Sequence, residues 1–494
     1  MKCVVSVNNM RISDKKTIEE KTPSLELMKK AAEGIFASVM WHGKILIACG
    51  TGNNAGDGYA LATLLNDSGH FVEILLLEER FSNDGKYYYD ICKSKNIPTR
   101  VYNSEKIQGY DIIVDCLLGT GFKGDVTGKT KDMICAINQS GAYVVSADIN
   151  SGLDGDSGIG DICVNSDLTV SIGTYKSGHF LNQAKDKIKD LVNCDIGIDI
   201  VEKPYLLLEK EDVKKFLGRR SNYSHKGTYG YIALIGGSLE YSGAIKLASL
   251  SSCAMRSGCG VVKIATPKSI CQAIMPYILE GTLYPLSDNN GSISFVENEI
   301  QGAVNGVKAV GIGMGLGQKG DNEKILEYIL KSCDIPVIID ADGLNTLARM
   351  DEGILKNTKC RVVLTPHLKE MERLCGVDVD EIKRAPIDYA VKYARKTGTT
   401  LLLKGTTTII TDGDNVVLSN TGCAGMATAG SGDVLSGIVT ALCASYSDTF
   451  EAVCVGAYIN GYAGEIAKRE YGDISMVASD TARSIAKAIM EITE

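Results

Sequence analysis

A stretch near the C-terminus, Thr421–Gly437, combines many small residues with a single charged side chain, Asp433. It reads TGCAGMATAGSGDVLSG, and an apolar helical pattern over Val434–Cys443 follows the carboxylate directly. Glycines let a ligand approach the backbone, and a helix start presents unpaired N–H groups and the positive end of a dipole. The stretch therefore predicts an anion site with Asp433 as a base, while a plain N-cap role for Asp433 stays open.

Composition and charge narrow the class of protein. The 494 residues are 45% hydrophobic and 23% charged, with a net charge of −8, so two or three globular domains are expected and nucleic acid is disfavoured as a partner. The first residues lack the apolar core of a signal peptide, and no segment is apolar enough for a membrane span. Sixteen scattered cysteines without a CxxC pair are typical of reduced thiols. We expect a cytoplasmic homo-oligomer that acts on small molecules.

The first half alternates buried strands with helical or polar segments, a rhythm that predicts a parallel α/β sheet. Met1 to about Phe36 is expected to be helical. Ligands of such sheets bind beyond the carboxyl ends of the strands, where three polar loops follow here, Gly50–Gly58, Asp115–Asp125 and Asp148–Gly152. The predicted strands are Lys44–Ala48, Phe71–Leu77, Asp111–Asp115, Tyr143–Asp148 and Leu168–Ile172.

The first of these loops, GTGNNAGDG (Gly50–Gly58), admits two interpretations. It formally satisfies the dinucleotide-binding fingerprint, and Glu78 ends the next strand, so a dehydrogenase is one alternative. The loop also holds Asn53, Asn54 and Asp57, whose oxygens suit hydroxyl groups or a hard cation better than a phosphate.

The three loops together resemble the NAD(P)H-hydrate epimerase domain through the motifs GTGNNAGDG, DCLLGTGFKGD and SADINSGLDGDSG. The resemblance implies a Rossmann-like sheet and inversion at C6 of the hydrated nicotinamide ring of NADHX or NADPHX. It also implies a catalytic Asp148 and a potassium ion held by Asn54, Asp115 and Ser151. The residues implied to line the substrate are Asn53, Asn54, Ala55, Gly56, Asp57, Gly119, Thr120, Gly121, Phe122, Lys123, Gly124, Asp125 and Asp148.

Two positions depart from this family pattern, since Ala55 replaces a usual Gly and Asn150 a usual Pro. Ala55 should narrow a close-approach loop slightly, and Asn150 should loosen a turn. Neither change removes a functional side chain. A first half that only senses nucleotides or docks other proteins is a separate alternative.

A charged segment around Lys210 predicts a boundary, giving domains over residues 1–210 and 211–494. A second α/β series follows, again with polar motifs after its strands. The predicted strands are Tyr229–Ile235, Gly260–Ala265, Lys308–Ile312, Pro336–Asp340, Arg361–Thr365 and Thr400–Lys404.

The motifs of the second half suit phosphoryl transfer, which requires positioned phosphates, neutralised charge and an oriented hydroxyl. N–H groups at Gly430–Gly432 would hold the phosphoryl group, and Asp433 would accept the hydroxyl proton. Lys404 and Thr406–Thr408 would bind nucleotide phosphate or ribose. His367 follows a strand, yet a lone histidine is commonly a packed or capping residue.

The order GGS…SGA, GIGMGLG, DADGLN, LTPHLKEMERL, LKGTTT and AGSGDVLSG is similar to the NAD(P)H-hydrate dehydratase domain of the ribokinase-like superfamily. The resemblance implies that Ala244, Gly315 or Gly317, His367 and the base Asp433 contact the hydrate. The implied nucleotide contacts are Lys404, Gly405, Thr406, Thr407, Thr408 and Gly432.

Both halves together imply a bifunctional repair enzyme. The first domain would interconvert the R and S epimers of NAD(P)HX, and the second would dehydrate the S epimer with ADP and Mg²⁺, giving NAD(P)H, AMP and phosphate. ATP is the alternative donor. The competing hypothesis is a small-molecule kinase of the ribokinase superfamily fused to a regulatory nucleotide-binding domain.

Overall fold

A computed structural model describes residues 1–250, 256–351 and 353–494. The chain forms two compact units, Cys3–Tyr205 and Leu206–Glu494, the latter with Met1–Lys2. The units therefore divide a few residues before Lys210. The boundary lies there because strand Tyr205–Leu207 pairs with a strand late in the chain.

The N-terminal unit is built from strands and six helices. Its strands are β1 (Lys2–Val5), β2 (Lys44–Cys49), β3 (Phe71–Leu76), β4 (Thr99–Val101), β5 (Ile112–Cys116), β6 (Tyr143–Ala147), β7 (Ser166–Ile172), β8 (Tyr175–Lys176) and β9 (Ile188–Cys194). Its helices are α1 (Val7–Glu20), α2 (Ser24–Ser38), α3 (Asn53–Asp67), α4 (Asn83–Ser94), α5 (Gly128–Asn138) and α6 (Ala184–Lys187).

Seven of these strands form one parallel sheet in the order β4-β3-β2-β5-β6-β7-β9, while β1 pairs with β8. The central strands β2, β3, β5, β6 and β7 are short apolar runs that are mostly buried, as expected inside a parallel sheet, whereas the edge strands β4 and β9 are largely exposed. Strand order reverses between β2 and β5. This reversal opens a crevice at their carboxyl ends, where the loops after both strands meet.

The C-terminal unit continues the same α/β pattern. Its strands are β10 (Tyr205–Leu207), β11 (Tyr231–Ile235), β12 (Val261–Pro267), β13 (Thr282–Leu286), β14 (Asp288–Asn289), β15 (Ser292–Ile293), β16 (Ala309–Ile312), β17 (Pro336–Ile339), β18 (Arg361–Leu364), β19 (Thr400–Leu403), β20 (Thr408–Thr411) and β21 (Val416–Ser419). Its helices are α7 (Lys210–Leu217), α8 (Ser242–Ser249), α10 (Glu297–Val304), α11 (Asn322–Ser332), α12 (Asp342–Leu347), α13 (Gly353–Lys356), α14 (Leu368–Cys375), α15 (Val379–Arg384), α16 (Pro386–Thr397), α17 (Ser431–Ser445), α18 (Thr449–Ser475) and α19 (Ala478–Thr493), with the single turn α9 (Cys271–Ile274) after β12.

The main strands of this unit lie in the order β13-β12-β11-β16-β17-β18-β19-β20-β21-β10. They are parallel from β13 to β19, β20 is antiparallel to both β19 and β21, and β21 is parallel to β10. Helix α17 packs against β16, β17, α8 and α18, and most of its residues are buried. A helix that is apolar on nearly all sides belongs in a core, and this burial fixes where its N-terminus points.

Most predicted strands agree with the structure to within two residues, and the α/β class is confirmed. The expected helical start is wrong in its first residues, because β1 precedes α1 and β-branched Val4 and Val5 are buried in a strand pair. No helix among the described residues is both long and apolar enough to cross a membrane.

Candidate active sites

A cavity of about 550 Å³ opens at the strand reversal of the N-terminal unit. Loops after β2, β5 and β6 line it, together with α1 and α2. Ala55 and Gly56 instead are buried in α3, and Lys123, Gly124 and Asp125 lie on an exposed part of their loop. The sequence-predicted residues that do line the cavity are Asn53, Asn54, Asp57, Gly119, Thr120, Gly121, Phe122 and Asp148.

Gly50 allows the first two loops to meet. Its N–H donates to the carbonyl of Cys116, at 3.1 Å. A Cβ at this position would lie only 1.9 Å from the Leu117 carbonyl oxygen, so any other residue would force the loops apart. The glycine therefore brings the loops after β2 and β5 into one site.

Asp115, Ser151 and Asn54 form a buried polar cluster beneath the cavity. The Asp115 carboxylate accepts bonds from the Ser151 hydroxyl at 2.5 Å, the Ser151 N–H at 2.9 Å and the Ser146 hydroxyl at 3.0 Å. Asn54 donates to the carbonyls of Leu118 and Ala147. Its own side-chain oxygen is buried and accepts no hydrogen bond from the described residues. A buried oxygen of this kind invites a cation or water.

Asp148 stands in a tightly held conformation at the end of β6. Its φ is +66°, a left-handed value that aspartate tolerates better than most residues. Its carboxylate is ion-paired with the Lys176 ammonium and accepts the Ile172 N–H at 3.3 Å. Burial alone would raise the pKa of Asp148, but the Lys176 charge lowers it below its usual value, so the carboxylate is ionised.

A single imidazole holds the two partners of this ion pair in place. His179 Nδ1 accepts the backbone N–H of Lys176 at 3.0 Å, so Nε2 carries the proton and donates to the Asp148 carbonyl at 2.7 Å. Burial, reinforced by the Lys176 charge, lowers the pKa of His179 to about 4. The ring is therefore neutral and its tautomer is fixed.

Further acidic groups share this end of the cavity. Burial raises the pKa of Asp57 well above its usual value, and the charges of Asp148 and Asp14 add to that effect. Burial also raises the pKa of Asp14, against the lowering effect of Lys176. Asp14, Lys176 and His179 were not predicted from the sequence. Lys176 follows the predicted strand ending at Ile172, so the same strand-end reasoning could have found it.

In the C-terminal unit the predicted strand ends also converge. Lys404, after β19, donates to the Asp340 carboxylate after β17 at 2.8 Å and lies 3.6 Å from Glu370. The Ser436 hydroxyl of α17 donates to the other Asp340 oxygen at 2.6 Å. Burial alone would raise the pKa of Asp340, but Lys404 lowers it. The N-cap of the following helix α12 is Ala341, so the Asp340 side chain is free of a capping role.

The glycine motif after β16 makes two close approaches. A Cβ on Gly313, whose φ is +126°, would lie 1.8 Å from the Asp340 carbonyl oxygen. A Cβ on Gly315 would lie 2.8 Å from that of Ala244, so these two predicted substrate contacts are neighbours. The Gly317 N–H donates to Asp342 at 2.8 Å, which leaves Gly315 as the glycine beside Ala244.

The glycine-rich stretch Thr421–Gly437 contains the N-terminus of α17. The helix begins at Ser431, three residues before the predicted Val434, and Gly430 is its N-cap with φ +94°. Asp433 therefore lies in the first turn and is not the N-cap. A Cβ on Gly432 would lie 3.4 Å from Lys404 Nζ, which places the helix start against the Lys404–Asp340 pair. Burial, aided by the Asp340 charge, raises the pKa of Asp433 to about 7.

His367 and the threonine motif occupy the neighbouring strand ends. His367 is the N-cap of α14, and its ring accepts the N–H groups of Lys369 and Glu370. The capping interpretation holds for one ring nitrogen, while the side chain stays half exposed. Gly405 and Thr406 are exposed and Thr408 begins β20, whereas Thr407 is buried and donates to Asn420 at 2.7 Å.

Comparisons with known proteins match both units. A family described as NAD(P)H-hydrate dehydratase matches residues 232–487, and one described as YjeF-related protein N-terminus matches residues 24–178. The bifunctional NAD(P)H-hydrate repair enzyme of Archaeoglobus fulgidus is 32% identical over 489 residues, covering 98% of both chains. The chain belongs to the family of bifunctional NAD(P)H-hydrate repair enzymes. The enzyme of that name from Coxiella burnetii is 30% identical over 95% of this chain and 96% of its own.

A solved structure supports the fold of the C-terminal unit. The ADP/ATP-dependent NAD(P)H-hydrate dehydratase from Bacillus subtilis, co-crystallised with ATP and Mg²⁺, is 28% identical with a TM-score of 0.51. It covers 58% of this chain and 99% of its own. The two resemblances drawn from the sequence are thereby confirmed for the NAD(P)H-hydrate repair family, and the dehydrogenase and kinase alternatives lose their support.

Proposed function

We propose that the N-terminal unit interconverts R- and S-NAD(P)HX and that the C-terminal unit dehydrates S-NAD(P)HX to NAD(P)H. ADP is the proposed donor, giving AMP and phosphate, and ATP is the alternative. The observation that carries this proposal is the full-length match to bifunctional relatives, combined with a separate strand-end site in each unit.

For dehydration, the start of α17 would hold the transferring phosphoryl group. Its first N–H groups and dipole favour an anion, and the Ser431 hydroxyl there is buried without a hydrogen-bond partner among the described residues. Asp433 would take the proton of the C6 hydroxyl as its oxygen attacks phosphorus. The N1 lone pair would then expel phosphate as the C6–O bond breaks, and loss of a C5 proton to water would form the C5=C6 bond of NAD(P)H. Lys404, held between Asp340 and Glu370, supplies positive charge beside the transferring group.

His367, Ala244 and Gly315 would face the hydrate, and Gly317 supports that loop through its bond to Asp342. Lys404, Gly405, Thr406, Thr407, Thr408 and Gly432 would contact the nucleotide. The Thr407 hydroxyl donates its hydrogen to Asn420.

The acidic residues near Lys404 do not form a Mg²⁺ cage. Both Asp340 oxygens accept hydrogen bonds, and Asp342 accepts the N–H of Gly317 and the amide of Gln318. Among the described residues no group of three acidic, histidine or cysteine side chains converges. We therefore assign no residue to Mg²⁺, and propose that it enters on the nucleotide phosphates, as is usual for this cation.

Potassium fits the buried cluster of the N-terminal unit. The unpartnered oxygen of Asn54, the Asp115 carboxylate and the Ser151 hydroxyl are all oxygen donors, and burial raises the pKa of Asp115 in the absence of a cation. When bound there, potassium would supply positive charge under the cavity floor and fix the loops after β2, β5 and β6.

Separated epimers test the two activities. With purified protein, R-NADHX should convert to S-NADHX faster than in buffer, and S-NADHX should yield the 340 nm absorbance of NADH only when nucleotide and Mg²⁺ are present. ADP and ATP supplied separately identify the donor. Recovery of no NADH with either nucleotide would refute the dehydratase assignment, and epimerisation no faster than in buffer would refute the epimerase assignment.

Potassium should stabilise the N-terminal unit. At a concentration 100-fold above its Kd it would add about 2.7 kcal/mol to the unfolding free energy. Trp41 is the chain's single tryptophan and lies in this unit, so its fluorescence follows the transition. The Asn54→Leu variant should lose this potassium-dependent increase in unfolding free energy. An equal increase with choline chloride, or an undiminished increase in Asn54→Leu, would contradict the site.

We further propose a cytoplasmic homo-oligomer. The cysteines of the described residues are all free thiols, as expected in a reducing compartment. Light scattering on the purified chain measures its mass against the 52.9 kDa of one subunit.

A further inference from the structure

The ion pair of Lys176 and Asp148 is unusual for its burial. The Lys176 side chain is 2% exposed, although lysine is among the residues least often buried. Burying an ammonium is costly unless it is paired and hydrogen-bonded. Both residues nevertheless line the cavity of the N-terminal unit. The cost is therefore borne at the place where the substrate would bind.

The hydrogen bonds of Lys176 leave one donor unused. An ammonium group has three N–H donors. One bonds the Asp148 carboxylate and a second the Ile172 carbonyl, at 2.6 Å. No third acceptor of this ammonium is present among the described residues. Since the residue lines the cavity, the remaining N–H is available to a group bound there.

Hydrogen bonds to the surrounding backbone fix the orientation of the Lys176 ammonium and the Asp148 carboxylate. His179 bonds the N–H of Lys176 and the carbonyl of Asp148 with its two ring nitrogens. The Ile172 N–H and carbonyl bond the Asp148 carboxylate and the Lys176 ammonium respectively. Such a preorganised pair costs little reorganisation when charge moves during a reaction.

We propose that Lys176 is a catalytic residue of the epimerisation, an inference that rests on the proposed function of this unit. The Lys176 ammonium donates a proton to the C6 hydroxyl, the C6–O bond breaks, and its electron pair leaves with oxygen as water. The N1 lone pair forms a double bond to C6, giving a planar cation. Water then adds to the opposite face, the π electrons return to N1, and the released proton returns through cavity water to the Lys176 amine.

Asp148 faces positive charge throughout this sequence. Before the step its carboxylate is paired with the ammonium, and after it the carboxylate faces the ring cation. The net charge of the site does not change, so little solvent reorganisation is required. His179 is a positioning residue, because it touches only the backbone of the two reacting groups. Burial raises the pKa of Asp57 and Asp14 on neighbouring helices, which favours their neutral forms, so the Asp148 carboxylate is the anion that faces the cation.

The test uses the full chain with Lys176→Ala. Epimerisation of R-NADHX should fall by about 10²–10⁴-fold, towards the uncatalysed rate. Dehydration of pure S-NADHX should keep its rate, and Trp41 fluorescence should show a folded N-terminal unit. Lys189→Ala removes an exposed lysine of β9 and should leave both rates unchanged.

Small primary amines then separate proton transfer from structural support. Methylammonium and its more acidic fluoroethyl analogues should restore activity to Lys176→Ala, with rates that rise with the acidity of the ammonium. Rescue that is independent of acidity, or a Lys176→Ala rate within threefold of wild type, would overturn the proposal. Wild-type protein that fails to interconvert the epimers would instead refute the epimerase function itself.

If Lys176→Ala does not fold, an isotope measurement on the wild-type enzyme still tests the proposed step. In H₂¹⁸O the wild-type enzyme should exchange the C6 oxygen in each inversion and retain a deuterium placed at C6. Inversion with the original oxygen retained, or with the C6 deuterium lost, would overturn the proposed step.

Discussion

Replacing Asp433 with asparagine should lower the rate of S-NAD(P)HX dehydration by about 10²–10⁴-fold, the usual contribution of a general base. Asparagine keeps the shape of the side chain but cannot accept the hydroxyl proton. Epimerisation takes place in the other unit and should be unaffected. Assays with separated epimers measure the two rates in one preparation.

The pH dependence gives a second signature of Asp433. Burial and the Asp340 charge raise its pKa to about 7, and a base is active only when ionised. The wild-type dehydration rate should therefore rise with pH through about 7 and level off above it. Asp433→Asn should lose this limb, since the group that titrates is gone.

A matched control separates loss of the base from the general effect of removing a carboxylate from the first turn of a helix. Asp388 is an exposed first-turn carboxylate of α16 in the same unit, and Asp388→Asn should keep the wild-type rate. An Asp433→Asn rate within threefold of wild type, or an unchanged pH limb in that variant, would exclude Asp433 as the base.

The strand ends could be predicted because each sheet strand is a short apolar run followed directly by polar residues. In parallel sheets that pattern determines both the fold and the edge at which ligands bind. Asp148 and Lys404 were found on this basis. The pattern does not show which residue each polar side chain pairs with, because the two partners lie far apart in the chain.

Lys176 and His179 show this limit. A lysine after a strand is ordinarily a solvated residue, and only the left-handed Asp148 and the carbonyl of Ile172 make its burial favourable. The helix start of α17 was displaced for a local reason. Gly430 adopts a left-handed φ that favours glycine, so the helix begins directly after it and takes in Ser431 and Gly432.

Asn150, where the epimerase family usually has proline, was expected to loosen a turn. In the structure it is fully buried and its amide donates to the carbonyls of Val164 and Lys187. Its oxygen accepts the Thr169 hydroxyl at 2.5 Å. The side chain therefore ties the loop after β6 to β7 and β9, a compensation that no local pattern could reveal.

Replacing Lys404 with methionine should destabilise the C-terminal unit by about 3–5 kcal/mol, the usual cost of leaving a buried charge unpaired. Asp340 is 1% exposed and would lose the positive charge that pairs with it while keeping the bond from Ser436. Urea unfolding followed by circular dichroism measures the loss. Hydrogen exchange should show the loss of amide protection in the peptides of β17 and α17.

Two further variants isolate the charge. Lys404→Met combined with Asp340→Asn should recover more than half of the lost stability, because the unpaired charge of Asp340 is then gone. Lys319→Met removes an ion pair with Glu240 whose side chains are 76% and 59% exposed, and should leave the stability almost unchanged. A Lys404→Met loss no larger than that of Lys319→Met would contradict the assigned role of the buried pair.

The destabilisation caused by Lys404→Met should also depend on pH. In the wild type the lowered pKa of Asp340 contributes stability above its unfolded pKa of about 3.9, and this is lost as pH falls through the folded pKa. Without Lys404, burial raises the pKa of Asp340, so acid neutralises it at a higher pH. The difference between wild type and Lys404→Met should therefore be larger at pH 7.5 than at pH 5. A difference that grows towards pH 5 would show that the lost stability comes from packing of the lysine stem rather than from the unpaired carboxylate.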